Sequence, residues 1–106
     1  MRLVLILTAL LAFHGAAASE FDETKALAEL GMAAAQNNLG IMYDNGEGVP
    51  ENNIRAYVWW SMAKTQGDAD AAVNIDILKP QMTKQQIAQA QALASQCYES
   101  DYKDCD

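Results

Sequence analysis

"LGIMYDNGEGVPENN", residues 39–53, is the stretch that decides how this chain folds. Asn45 and Gly46 tolerate the left-handed backbone conformation that ends an α-helix. Pro50 cannot continue a helix, and the side chain of Asn52 can cap the helix that follows. The stretch therefore predicts a corner between two helices.

The same glycine-rich stretch does not fit a calcium loop or a phosphate loop. A calcium loop needs oxygen-bearing side chains at alternate positions, and after Asp44 those positions hold Gly46 and Gly48. A phosphate loop needs a lysine after its last glycine, whereas Glu47 and Glu51 surround these glycines and would repel phosphate. We therefore expect no cofactor.

The chain beyond residue 18 has the composition and the helix-capping residues of an all-α protein. Alanine, leucine, glutamine and methionine dominate it, and these residues favour helices. The predicted helices span about 22–30, 33–44, 53–66, 69–79 and 84–97. The predicted N-caps are Asp22, Asn52, Asp68 and Thr83, the last in a capping box with Gln86.

An internal repeat organises these helices. The segment GMAAAQNNLG at 31–40 aligns with GDADAAVNID at 67–76 without a gap, a period of 36 residues. A period in the thirties with two helices per unit indicates an α-solenoid of antiparallel helix pairs. We expect one full repeat at about 33–68, a partial repeat at about 69–79 that fails at Pro80, and a capping helix at about 84–97.

The segment AQNNLGIMYDNGEGVPENNIRAYVWWSMAKTQGDADA resembles the Sel1-like repeat, a relative of the tetratricopeptide repeat. The motif positions are Ala35, Leu39, Gly40, Tyr43, Gly46, Gly48, Val49, Ala56, Trp59, Ala63, Gln66 and Gly67. The resemblance covers residues 28–78, and the segment DILKPQMTKQQIAQAQALA is similar to the end of short exported bacterial members. The resemblance to the Sel1-like repeat implies a helical solenoid that binds proteins.

The motif also has a physical explanation. Gly40 in mid-helix costs about 1 kcal/mol relative to alanine, which is tolerable where a neighbouring helix approaches closely. Trp59 lies on one helix face between two alanines, so we expect it to be buried and Trp60 to be partly exposed. The expected repeat core comprises Ala35, Leu39, Gly40, Tyr43, Ala56, Trp59, Ala63, Gly67 and Ala71.

Two departures from the family pattern limit what the resemblance implies. Some exported members carry a cysteine pair inside each repeat, and this chain has none there. We therefore do not expect this chain to share the activities of that branch. The second copy has Asp76 where the first has the close-packing Gly40, which predicts that the solenoid stops. The only cysteines, Cys97 and Cys105, suggest a disulfide that closes the tail; free thiols and a bridge between two chains are the alternatives.

Residues 1–18 have the pattern of a signal peptide. A basic start at Arg2 precedes an apolar run at 3–13, and Ala16 and Ala18 satisfy the cleavage rule, so we place the cut before Ser19. An uncleaved membrane anchor is the alternative, but the run is shorter than the ~20 residues that span a bilayer. We expect an exported protein, periplasmic or extracellular.

The charge of the processed chain excludes several partners. Removing Arg2 from the seven basic residues leaves six against fourteen acidic ones, a net charge of −8. A negative field repels nucleic acids and anionic membrane surfaces. Cleavage also removes His14, the only histidine, and with it the usual general base and the commonest transition-metal ligand.

The leading hypothesis is therefore a non-catalytic protein-binding module, a scaffold or adaptor. By resemblance, Asn37, Asn38, Ile41, Asp44 and Asn74 would line its binding surface; a purely structural role, with Asn38 and Asn74 bonded to the neighbouring helix, is the alternative. A secreted inhibitor or host-directed effector would use the same surface. For the less favoured reading, a small cell-wall hydrolase, Asp44, Glu47 and Glu51 are the candidates for the acid and the base. Self-association through the open solenoid end is a further expectation.

Overall fold

A computed structural model describes residues 19–106, which form five α-helices and one short 3₁₀ turn, with no strand in this range. The helices are α1 (Glu20–Glu29), α2 (Ala33–Asn45), α3 (Asn53–Thr65), α4 (Ala69–Leu78) and α5 (Lys84–Glu99), and the 3₁₀ turn is Lys79–Gln81. The predicted all-α solenoid is confirmed. The predicted signal peptide lies outside the described residues.

Side-chain caps set where most helices begin. The predicted caps Asn52 and Asp68 are confirmed, with the Asn52 side chain accepting a 3.0 Å hydrogen bond from the Arg55 amide. The capping box at Thr83 is also confirmed. The predicted cap of α1 was wrong: α1 begins earlier, and Ser19 Oγ accepts from the Asp22 amide at 3.1 Å. Both residue types cap well, so composition alone did not choose between them.

The corner after α2 is confirmed as a helix-ending turn. Gly46 adopts the left-handed conformation as the C-cap, and the Glu47 amide donates to the Met42 carbonyl at 2.8 Å. The Asn52 amide then donates to the Tyr43 carbonyl at 2.8 Å, which closes the corner. The chain thereby reverses, and α3 packs antiparallel to α2.

Helix α3 is the centre of the molecule, because α2, α4 and α5 all pack against it, while α1 packs on α2. The core is formed mainly by α2 and α3, and its largest fully buried side chains are Trp59, Tyr43, Leu39 and Met62. Gln36 is also fully buried; its side chain donates to the Ala28 carbonyl and accepts from Gln66. This polar chain connects α1, α2 and the end of α3.

One expected core residue, Gly67, is exposed, which corrects that prediction. It lies in the corner after α3 with a φ of 94°, a conformation that favours glycine. Its place in the motif therefore reflects backbone conformation and not packing. The other eight expected core residues are buried.

Trp60 is buried, with 3% of its surface exposed, so the expectation that it would be partly exposed was wrong. The reason is Gly40: a Cβ at this position would lie 2.8 Å from Cε2 of the Trp60 indole. The ring occupies the space that the missing side chain leaves, and its Nε1–H donates to the Asn37 carbonyl at 3.0 Å. Trp59 is fully buried, and its Nε1–H has no hydrogen-bond partner within the described part of the chain.

The segment after α5 folds back onto the start of the domain. The predicted disulfide between Cys97 and Cys105 is confirmed, and both residues are buried. Beyond it, the Asp106 carboxylate pairs with Lys25 at 3.0 Å and with Arg55 at 3.7 Å. The hydrogen bond from Lys25 to Asp106 raises the pKa of the Lys25 ammonium. A disulfide that closes a loop this short is expected to contribute roughly 2–3 kcal/mol to the free energy of unfolding.

We predict that Gly40→Ala lowers the free energy of unfolding by about 1–3 kcal/mol, because the added methyl overpacks the space that Trp60 occupies. Urea denaturation followed by circular dichroism measures the change. In a Trp60→Leu background the same substitution is expected to be neutral or to stabilise by up to ~1 kcal/mol, the helix-propensity gain of alanine. An equal loss in both backgrounds would contradict this account of the close approach.

Candidate protein-binding groove

A groove of about 220 Å³ runs between α2 and α4, above α3. We call it the α2–α4 groove. It is lined by Ile41, Asp44, Asn45, Trp60, Asn74, Ile77, Leu78 and Gln81. The two helices come from successive repeats, and their apolar side chains form the walls while α3 contributes the floor.

Hydrogen bonds connect two of the lining residues, Trp60 and Asn74, to Asn37 on α2. Trp60 forms the floor, and its indole N–H donates to the Asn37 carbonyl. The Asn37 side-chain oxygen accepts a 3.1 Å hydrogen bond from the side-chain amide of Asn74. Asn37 therefore connects α2 to both α3 and α4 and holds the groove at a defined width.

Three of the five residues expected at the binding surface line this groove: Ile41, Asp44 and Asn74. Asn37 does not line the groove itself, but its side chain accepts a hydrogen bond from Asn74, which does. Asn38 is exposed and does not line the groove. The Asn37–Asn74 hydrogen bond gives Asn74 a structural role between neighbouring helices, which was the alternative to a binding role.

Sequence reasoning missed several residues of the groove, above all Ile77. Its position is one repeat period of 36 residues after Ile41, so the repeat alignment could have found it. Ile77 is 61% exposed, so much of its apolar side chain is available for contact. Trp60, Leu78 and Gln81 gave no comparable signal, because tertiary packing places them in the groove.

Asp44 is half-buried in the groove and is the one ionisable side chain among its lining residues. Burial raises the pKa of its carboxyl, and the charge of Glu51 raises it further. Within residues 19–106 no basic side chain forms an ion pair with it, since the ion pairs there join Lys25 and Arg55 to Asp106. The groove therefore holds a negative charge that its surroundings do not neutralise.

Two further surfaces have cavities with apolar residues. One, of about 260 Å³, lies between α3 and α5 beside Met62 and Tyr98. The other, of about 440 Å³, lies beside Leu30 and Lys103. Neither contains a residue expected at the binding surface, whereas the α2–α4 groove contains three.

Of the three carboxylates considered for catalysis, Asp44 alone lines the groove. Glu47 and Glu51 are exposed and do not line it, and Glu47 accepts a 3.0 Å hydrogen bond from the Asn45 side chain. Within the described range, no cluster of three or more histidine, cysteine, aspartate or glutamate residues could hold a metal ion. In the same range, no helix is long and apolar enough to cross a membrane.

Residues 33–68 match the family model described as the Sel1 repeat. These bounds include α2, the corner and α3, and they coincide with the full repeat expected from the sequence. No curated protein matched the chain. Residues 33–68 therefore form a Sel1 repeat. Sel1 repeats mediate protein–protein interactions and are typically not enzymes, which supports a non-catalytic binding module.

We predict that Asp44→Asn raises the free energy of unfolding at neutral pH by at most about 0.5 kcal/mol, because solvent screens a half-buried group. The folded-state pKa is raised, so the folded chain holds the proton more tightly than the unfolded chain. The free energy of unfolding of the wild-type protein therefore falls as the pH rises above ~3.9, the ordinary pKa of an aspartate. The stability that Asp44→Asn gains over the wild type should be complete above the folded-state pKa of Asp44 and should vanish below ~3.9.

Thermal unfolding at several pH values measures this gain. Asp76→Asn is the matched control, because Asp76 is an exposed aspartate on α4 that does not line the groove. It removes the same overall charge. A Tm difference of equal size in the control, or one that does not depend on pH, would show that the groove environment is not the cause.

Proposed function

We propose that this protein is an exported, non-catalytic scaffold that binds a segment of a partner protein in the α2–α4 groove. The observation that carries the proposal is the pairing of Ile41 and Ile77, equivalent residues of successive repeats, on the two walls of one groove. Apolar walls supply affinity through burial, and the amides at the rim can orient a peptide.

The arrangement of the groove supports binding of one peptide segment at a time. Its volume suits a single inserted side chain, and its floor is held in place by the indole of Trp60. Because the Asn37–Asn74 hydrogen bond fixes the distance between the helices, little ordering is needed on binding. Asn45 and Gln81 lie beside the apolar residues and offer both donors and acceptors to a peptide backbone.

Two features support export. Both cysteines are oxidised and buried, which suits an oxidising compartment. Ser19 caps α1, so a cut before Ser19 would leave the cap intact. The processed chain would thus begin with the residue that caps the first helix.

We predict that Ile77→Gln weakens binding of a selected peptide at least about tenfold, because the groove loses one apolar wall. The peptide is selected from a random display library with the purified protein, and its Kd is measured by fluorescence anisotropy. Val73→Gln is the matched control: Val73 is 55% exposed, lies one turn earlier on α4 and does not line the groove. Failure to select a peptide, or equal Kd values for all three proteins, would count against the groove.

We predict that the full chain, expressed in a bacterial host with working export, is recovered with Ser19 as its first residue. Amino-terminal sequencing should read Ser19-Glu20-Phe21. Replacing both Ala16 and Ala18 by aspartate should leave an uncleaved precursor, because the cleavage site requires small residues. Recovery of the wild-type protein with residues 1–18 still attached would contradict export by this route.

A further inference from the structure

The α2–α4 groove is negative as well as apolar. Asp44 is the one ionisable residue that lines it, and no basic residue within 19–106 forms an ion pair with this carboxylate. Glu51 is close enough for its charge to raise the pKa of Asp44. An incoming cation would therefore meet a charge that the fold has not already paired.

The end of helix α2 adds to this negative potential. Helix α2 ends at Asn45 and α4 ends at Leu78, and both of these residues line the groove. The last carbonyls of a helix carry a partial negative charge, which favours cations near the C-terminus. The last turn of α2 has no basic residue, whereas Lys79 follows α4 directly as its C-cap and offsets the charge at that end. The end of α2 and the Asp44 carboxylate thus act on the same small volume.

The shape of the groove restricts which cation fits. Its volume of about 220 Å³ equals that of about seven water molecules at ~30 Å³ each, enough for one long side chain. Ile41 and Ile77 would contact an aliphatic stem, and Asp44 would meet a charged head. Lysine and arginine have this division, since their stems pack on apolar surface while the head remains polar.

We propose that the α2–α4 groove binds the side chain of a lysine or arginine in an exposed segment of a basic partner protein. The stem lies between Ile41 and Ile77, and the head pairs with Asp44. This inference rests on the proposed function and names the chemistry of the partner. The net charge of −8 on the processed chain steers such a partner toward the protein at low ionic strength.

The test uses the two tryptophan indoles as local probes. The chain has two tryptophans: Trp60 lines the groove, and Trp59 is fully buried away from it. The purified ¹⁵N-labelled protein is titrated with short blocked peptides in which one central residue, flanked by leucines, is arginine, lysine, citrulline or glutamate. Citrulline has nearly the shape of arginine and no charge. The indole N–H signals report where each peptide binds.

The arginine and lysine peptides should shift the Trp60 indole signal and leave that of Trp59 unchanged. The citrulline peptide should bind about tenfold more weakly, and the glutamate peptide should not bind. Asp44→Asn should remove most of the preference for arginine over citrulline, while the control Asp76→Asn retains it. Higher salt should weaken the arginine peptide more than the citrulline peptide.

The outcomes separate this inference from the proposed function. Equal affinity for the arginine and citrulline peptides, both lost in Ile77→Gln, would overturn the basic-partner inference and leave the peptide groove standing. A preference for arginine that survives Asp44→Asn, or a shift of both indoles, would also overturn the inference. If none of the peptides shifts the Trp60 signal, the basic-partner inference fails, and the display selection alone then decides the proposed function.

Discussion

The contact between Gly40 and Trp60 is the constraint on which the rest of the structure depends. The indole fills the space left by the absent side chain, and its N–H bonds to the Asn37 carbonyl. This holds α2 close to α3. The same ring forms the floor of the α2–α4 groove, so one contact serves both the packing of the repeat and the shape of its candidate binding surface.

The groove combines features that oppose stability and features that suit recognition. Asp44 is held partly out of water, near another carboxylate and at the end of a helix, all of which disfavour its charged form. Ile77 keeps most of its apolar surface in solvent. A polar, uncharged residue at position 44 and a polar residue at position 77 would avoid both of these unfavourable contributions to stability. Sites that bind a partner commonly retain residues that destabilise the free protein, because contacts with the partner offset the loss on binding.

The tail compensates for the small size of the domain. A short solenoid has open ends and a limited core, and the sequence after α5 returns to contact the first helix of the stack. The disulfide restricts the tail, and Asp106 then joins Lys25 on α1 and Arg55 on α3. The start and end of the described chain are thus held together, and no residue after α5 lines the α2–α4 groove.

Local sequence determined most of the secondary structure. The caps at Asn52, Asp68 and Thr83 and the corner at Gly46 act through bonds to residues a few positions away, so their chemistry could be read directly. The repeat period indicated the helix pairs, and the resemblance pointed to Ile41, Asp44 and Asn74. Tertiary structure alone decided that Trp60 is buried, that Gln81 and Leu78 join the groove, and that Asp106 meets Lys25. These contacts depend on how whole helices pack in three dimensions, which the spacing of residues along one helix does not specify.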